Sequence, residues 1–126
     1  MSEEKKGEGM TLKVTIKKCK NLKRGDILTS DPFVFVQPTG QGSQGTRTRH
    51  NTLNPKYDES FTFENVSVGE KLYFTVYDRD LFSREDKLGN AECEIPAECV
   101  GNKMKMKLDF DTKGKIYFSM ELVPKE

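Results

Sequence analysis

Thr11-Leu12-Lys13-Val14-Thr15-Ile16-Lys17 alternates polar and apolar residues at every step. Successive side chains of a strand point to opposite faces, so this run predicts a strand with Leu12, Val14 and Ile16 on a buried face. The far end of the chain, 115–123, repeats the pattern: Ile116, Phe118, Met120 and Leu122 alternate with Tyr117, Ser119 and Glu121. Working inward from both, six more segments read as strands: 32–37, 45–50, 57–64, 71–78, 88–95 and 104–110. Tyr57, Phe61 and Phe63 alternate and are expected in the core. No segment carries a helical period apart from a turn at 96–99. Eight short strands separated by turn residues predict an all-β, eight-stranded antiparallel β-sandwich.

Composition sets the outer limits. The chain has 126 residues, room for one ordinary domain, of which 1–9 are charged, glycine-containing and expected to be disordered. Lysine plus arginine number 21 and aspartate plus glutamate 20, a net charge of +1, which argues against nucleic-acid binding and against a uniformly basic membrane surface. No apolar run approaches the roughly 20 residues that span a bilayer, and Met1 to Gly9 lacks a signal-peptide core, so a cytoplasmic location is expected. Cys19, Cys93 and Cys99, an odd number without short paired spacing, read as free buried thiols. The single histidine, His50, has no nucleophile or phosphate-loop pattern around it, and the chain reads as a non-enzyme.

The aspartates carry the chemistry. Asp26 and Asp31 fall in the first connection. Asp78, Asp80 and Asp86 fall at and after the end of the 71–78 strand. Strand geometry continued to residue 80 puts Asp78 and Asp80 on one side, where two like charges are costly without a cation between them. Aspartate is also a common turn residue, capping loops through its own side chain. Several carboxylates on loops suit Ca²⁺, which takes 6–8 oxygens, better than Mg²⁺, which keeps more water. An EF-hand beginning at Asp78 would need Gly at 83 and Glu at 89; the chain has Ser83 and Gly89.

Four motifs in order then resemble the C2 domain family across about residues 10–124. Thr11 to Leu22 looks like its opening strand. Thr29-Ser30-Asp31-Pro32-Phe33-Val34 looks like its S-D-P-Y/F-V signature. Asn54-Pro55-Lys56-Tyr57-Asp58-Glu59-Ser60-Phe61-Thr62-Phe63 resembles its N-P-x-aromatic-x-E-x-F-x-F stretch. Asp78-Arg79-Asp80 through Asp86-Lys87-Leu88-Gly89 resembles its D-x-D-x5-D-x-x-G. The resemblance implies that Asp26, Asp31, Asp78, Asp80 and Asp86 hold Ca²⁺, two ions, and that the strand order is the permuted, phospholipase-like one. Asp26 stands in a loop one residue shorter than in many relatives.

The implied function is calcium-dependent binding to anionic phospholipid membrane, such as one containing phosphatidylserine. Ile27, Leu28, Leu81 and Phe82 at the loop tips would enter the bilayer interface, with Arg84 beside a lipid phosphate. Arg47 and Arg49, sharing one face of the basic strand 45–50, would meet anionic lipid or phosphoinositide. The alternative function is a protein-interaction module whose calcium site is structural or weak.

Overall fold

The computed structural model describes residues 9–24, 30–79 and 86–125. Its strands are β1 (Met10–Lys20), β2 (Pro32–Pro38), β3 (Gln44–Gly45), β4 (Lys56–Val66), β5 (Lys71–Asp78), β6 (Asp86–Glu94), β7 (Met104–Asp109) and β8 (Lys115–Pro124). A 3₁₀ turn, Ala97–Cys99, lies where the 96–99 turn was expected. Two four-stranded sheets result, ordered β4-β1-β8-β7 and β3-β2-β5-β6, with every strand pair antiparallel. The first and last strands are neighbours, and Lys125 N donates to Gly9 O at 3.0 Å.

The core is where the alternations meet. Leu12, Val14 and Ile16 of β1 and Ile116, Phe118, Met120 and Leu122 of β8 face Val34, Val36, Leu72, Phe74 and Val76 of the other sheet. Phe74 and Phe118 touch across the sandwich, with ring centroids 4.5 Å apart. Tyr57 and Phe63 are buried as expected, while Phe61 is half-buried and packs on the core edge.

Bulges shift this pattern where a simple period of two fails. Ile16 lies opposite Phe118 but Lys18 lies opposite Tyr117, so β1 carries one extra residue at Lys17. Such an insertion reverses which face the later residues take. Cys19 therefore points inward beside Ile116, although it is three residues from Ile16. Past β1 the chain turns at Asn21, in the left-handed region at φ 55°. Gly114 comes so close to this turn that an added Cβ would lie 2.5 Å from Lys20 O.

One expected strand is cut short. The segment 45–50 is a strand only at its start, as β3 ends at Gly45. Val34 N donates to a side chain, Thr46 Oγ1, and the next ladder position on β2 is Pro32, which has no N–H to give. Thr46 N donates to Val34 O and Arg49 N to Pro32 O, so three steps of one chain span two of the other.

Candidate metal centre

The end of the β3-β2-β5-β6 sheet gathers three of the five expected carboxylates. Pro32, directly after Asp31, lies opposite Asp78, and Asp78 lies opposite Asp86. Asp86 thus opens β6; it does not sit in a loop, because β6 starts two residues earlier than the apolar pattern of 88–95 implied. Asp26 and Asp80, and the candidate membrane contacts Ile27, Leu28, Leu81, Phe82 and Arg84, lie outside the described residues. Among the described residues, no three metal-ligating side chains converge closely enough to hold an ion by themselves.

Backbone donors fix the orientation of two of these carboxylates, Asp31 and Asp78. Asp31 N donates to Asp78 Oδ1 at 2.8 Å, and Asn51 N donates to Asp31 Oδ1 at 2.7 Å. Arg79 N donates to Asp31 O at 3.0 Å, which ties the end of β5 to the start of β2. His50 Nδ1 lies 3.9 Å from Asp31 Oδ1. Behind Asp31, Pro32 O accepts from Tyr57 Oη at 2.6 Å and from Arg49 N at 3.0 Å. Tyr57 belongs to the opposite sheet, so this buried bond pins the two sheets together one residue from the site. Burial pushes the Tyr57 phenol above its ordinary range and keeps it a donor. The signal for this role was present in sequence as an aromatic three residues after Asn54, but alternation assigned it only to the core.

Gly89, which closes the D-x-D-x5-D-x-x-G motif, has a packing reason. A Cβ there would meet Thr112 Oγ1 at 2.8 Å, and Thr112 Oγ1 hydrogen-bonds Leu88 O. The missing side chain lets segment 110–112 lie against β6 behind Asp86. Among the described residues at this end, the candidate donors match a hard cation: they are carboxylate oxygens from separate elements.

Arg47 and Arg49 do not share a strand face, since 46–50 is not strand. Both instead reach across the sandwich edge to β4. Arg47 Nε lies 3.6 Å from Glu59 Oε2, and Arg47 N also donates to that carboxylate. Arg49 Nε donates to Lys56 O at 2.8 Å, with its guanidinium 5.7 Å from the Tyr57 ring centre. The cysteines are free thiols: Cys19 and Cys99 are buried and Cys93 is half-buried. Burial raises the Cys19 thiol to about 12 and the Cys93 thiol to about 11. Both stay protonated and unreactive at neutral pH.

Among known proteins, the family model of the C2 domain matches residues 10–110. Protein C2-DOMAIN ABA-RELATED 4 of Arabidopsis thaliana is 39% identical over 84 residues, covering 67% of this chain and 47% of that protein. Human Synaptotagmin-9 is 37% identical over 100 residues, covering 69% of this chain and 20% of that protein. The chain thus spans half or less of the length of these relatives. A C2 domain of plant Extended Synaptotagmin 1 superposes with a TM-score of 0.84 at 21% identity, covering 93% of this chain and 96% of that one. A calcium-bound pair of C2 domains from Extended Synaptotagmin 2 superposes at 0.74 and 21% identity, covering 92% of this chain and 46% of that one. With motifs, two-sheet architecture and family model in agreement, the chain belongs to the C2 domain family.

Proposed function

We propose that this C2 domain binds Ca²⁺ through Asp31, Asp78 and Asp86 together with Asp26 and Asp80, and by doing so attaches to anionic phospholipid membrane. The observation that carries the reading is the pairing of Asp78 with Asp86 and the bond from Asp31 N to Asp78 Oδ1. These bring carboxylates from three elements to one sheet end, where their repulsion favours a cation. Without metal, the five carboxylates make this end negative and repel an acidic headgroup. Two bound Ca²⁺ ions would supply four positive charges there and offer coordination to lipid phosphate or the serine carboxylate. Asp31 and Asp78, oriented by backbone N–H groups, need little rearrangement when metal enters. Ile27, Leu28, Leu81, Phe82 and Arg84 are the proposed membrane contacts. The protein would be cytoplasmic and move to membrane when calcium rises, without catalysing a reaction itself. The permuted strand order expected from the sequence belongs to this reading, and human GIVD cytosolic phospholipase A2 is among the superposing structures at a TM-score of 0.84.

The test is Asp78→Asn combined with Asp80→Asn. Asparagine keeps the shape and removes two charges, on which calcium affinity depends. Calorimetry is expected to show no calcium binding, and calcium-dependent sedimentation with phosphatidylserine vesicles is expected to disappear at an unchanged melting temperature. Sedimentation that still requires calcium would reject the site. Phe82→Ala is expected to bind calcium normally and hold vesicles less tightly.

A protein-interaction role has one observation in its favour. Phe35 and Tyr73 stand about a third exposed on the outer face of the β3-β2-β5-β6 sheet. Retention of calcium binding without vesicle sedimentation in the unmodified protein would favour that role.

A further inference from the structure

The outer face of the β4-β1-β8-β7 sheet is a broad surface that the proposed calcium end leaves unused. Strand register lays one row of side chains across it: Ser60 opposite Thr15, Thr15 opposite Ser119, and Ser119 opposite Lys105. The middle of that row is short and hydroxylated. Thr15 and Ser60 share a hydrogen bond of 2.8 Å, and Ser119 is buried among its neighbours. Longer side chains stand around it, so the sheet is hollowed along its centre. Two adjoining hollows of about 280 Å³ each share Thr15, Lys103 and Ser119 in their walls.

The charged residues of the walls are lysines with one exception, and Met106 and Tyr117 in one hollow and Phe61 and Thr62 in the other stand beside them. Lys17, Lys18 and Lys105 line one hollow, Lys13 lines the other, and Lys103 lines both; Glu121 is the one carboxylate in either wall. Lys17 is paired with Asp58 at 3.3 Å, and the Lys18 ammonium lies 5.3 Å from the Tyr117 ring centre. Among the described residues, no carboxylate lies within 4 Å of the ammonium groups of Lys13, Lys103 or Lys105.

We propose that this trough binds a soluble molecule carrying several phosphate groups, independently of calcium. Lysine ammonium groups are compact charges on flexible stems that suit phosphate oxygens approaching from several directions. The hydroxyl floor supplies donors at a depth the lysine tips do not reach. Together the hollows match the size of a small phosphorylated ring. A soluble source fits the position. A bilayer at the Asp31 end crosses the ends of the strands, roughly perpendicular to this face, and cannot also cover the trough.

The test is titration of the whole protein with inositol hexakisphosphate in a calcium chelator, by calorimetry, at fixed ionic strength. Saturable binding is expected. Lys13→Ala with Lys103→Ala and Lys105→Ala is expected to weaken it about tenfold, as three exposed charge contacts would. Thr15→Val is expected to weaken it severalfold, which general attraction to a basic surface would not produce. Lys71→Ala with Lys87→Ala, on the other sheet, is expected to leave it unchanged. Absence of saturable binding, indifference to Thr15→Val, an equal loss with these two lysine changes, or equal binding of a polyglutamate peptide would each overturn the proposal. So would calcium-free binding to phosphoinositide vesicles that depends on the three lysines while the soluble probe fails to bind. Because the chelator is present throughout, failure here leaves the calcium reading untouched, and failure of the calcium site leaves this one standing.

Discussion

The outer faces of the two sheets differ far more than their inner faces. Inward, both present the same mixture of Leu, Val, Ile and Phe, and the two mixtures fuse into one core. Outward, β4-β1-β8-β7 shows lysines and hydroxyls around Tyr117, whereas β3-β2-β5-β6 shows Phe33, Phe35, Tyr73 and Tyr77. The aromatic face largely covers itself. Phe33 stacks on Tyr77 at 5.6 Å, Phe35 meets Phe33 edge-on at 5.3 Å, and the Arg79 guanidinium lies 4.3 Å from the Phe33 ring centre. Phe33 is consequently almost fully buried while standing outside the core cluster. The lysine face has no such roof. Inward positions are constrained by packing and must resemble one another; outward positions are free to specialise.

The strongest way to break that contrast lies on one strand. Phe74→Ala opens a cavity against Phe118 and is expected to cost about 3–5 kcal/mol in denaturant unfolding. Tyr73→Ala, next to it and facing out, is expected to cost less than about 1 kcal/mol. Similar losses would mean that the outward aromatics belong to the core after all.

The bulge at Lys17 can be checked through pH. Because Cys19 is turned inward, its thiol is raised from 9.0 to about 12. The unfolded chain releases that proton first. The protonated thiol therefore contributes stability that is fully present below pH 9.0 and is lost as pH rises toward about 12. The slope should be close to one proton, about 1.4 kcal/mol per pH unit. Cys19→Ala is expected to remove one proton's share of the alkaline decline, and an unchanged slope would place Cys19 outward.

Smaller effects separate the faces further. Arg79→Ala uncovers Phe33 and loses the bond to Thr48, with an expected cost of about 1 kcal/mol in thermal unfolding. Lys13→Ala with Lys105→Ala is expected to change stability by less than about 0.5 kcal/mol, with any gain confined to low salt, where lysine repulsion is least screened. A large loss there would show that the lysines hold the sheet together.

These contrasts also separate what is legible in a sequence from what is not. Alternation located the strands because burial on one face imposes a period of two. It missed the Lys17 bulge, since one extra residue leaves no mark in composition. It extended β3 through His50 because Thr46-Arg47-Thr48-Arg49-His50 reads as strand, while the obstacle, Pro32, sits on the partner. Motif spacing singled out Asp31, Asp78 and Asp86, but only the register of β5 against β6 brings Asp86 opposite Asp78. The trough was invisible for a related reason. Lys13 and Lys105 are 92 positions apart in the chain, and only the order β1-β8-β7 makes them neighbours.

The bond between Lys125 N and Gly9 O has a consequence for protein architecture. Residues 9 and 125 share one spot, so within a longer polypeptide such a module would hang as a bead on a closed loop. Splicing it into a surface loop of another protein would separate the host's two loop ends by only a few ångströms, and short linkers would suffice. Stitching residues 9 and 125 together as a ring would instead leave the folded form nearly undisturbed and restrict the unfolded one. Tethering a loop of this length is worth roughly 4–5 kcal/mol in the chain-entropy model. The same closure that makes the sandwich easy to graft would therefore make it hard to melt.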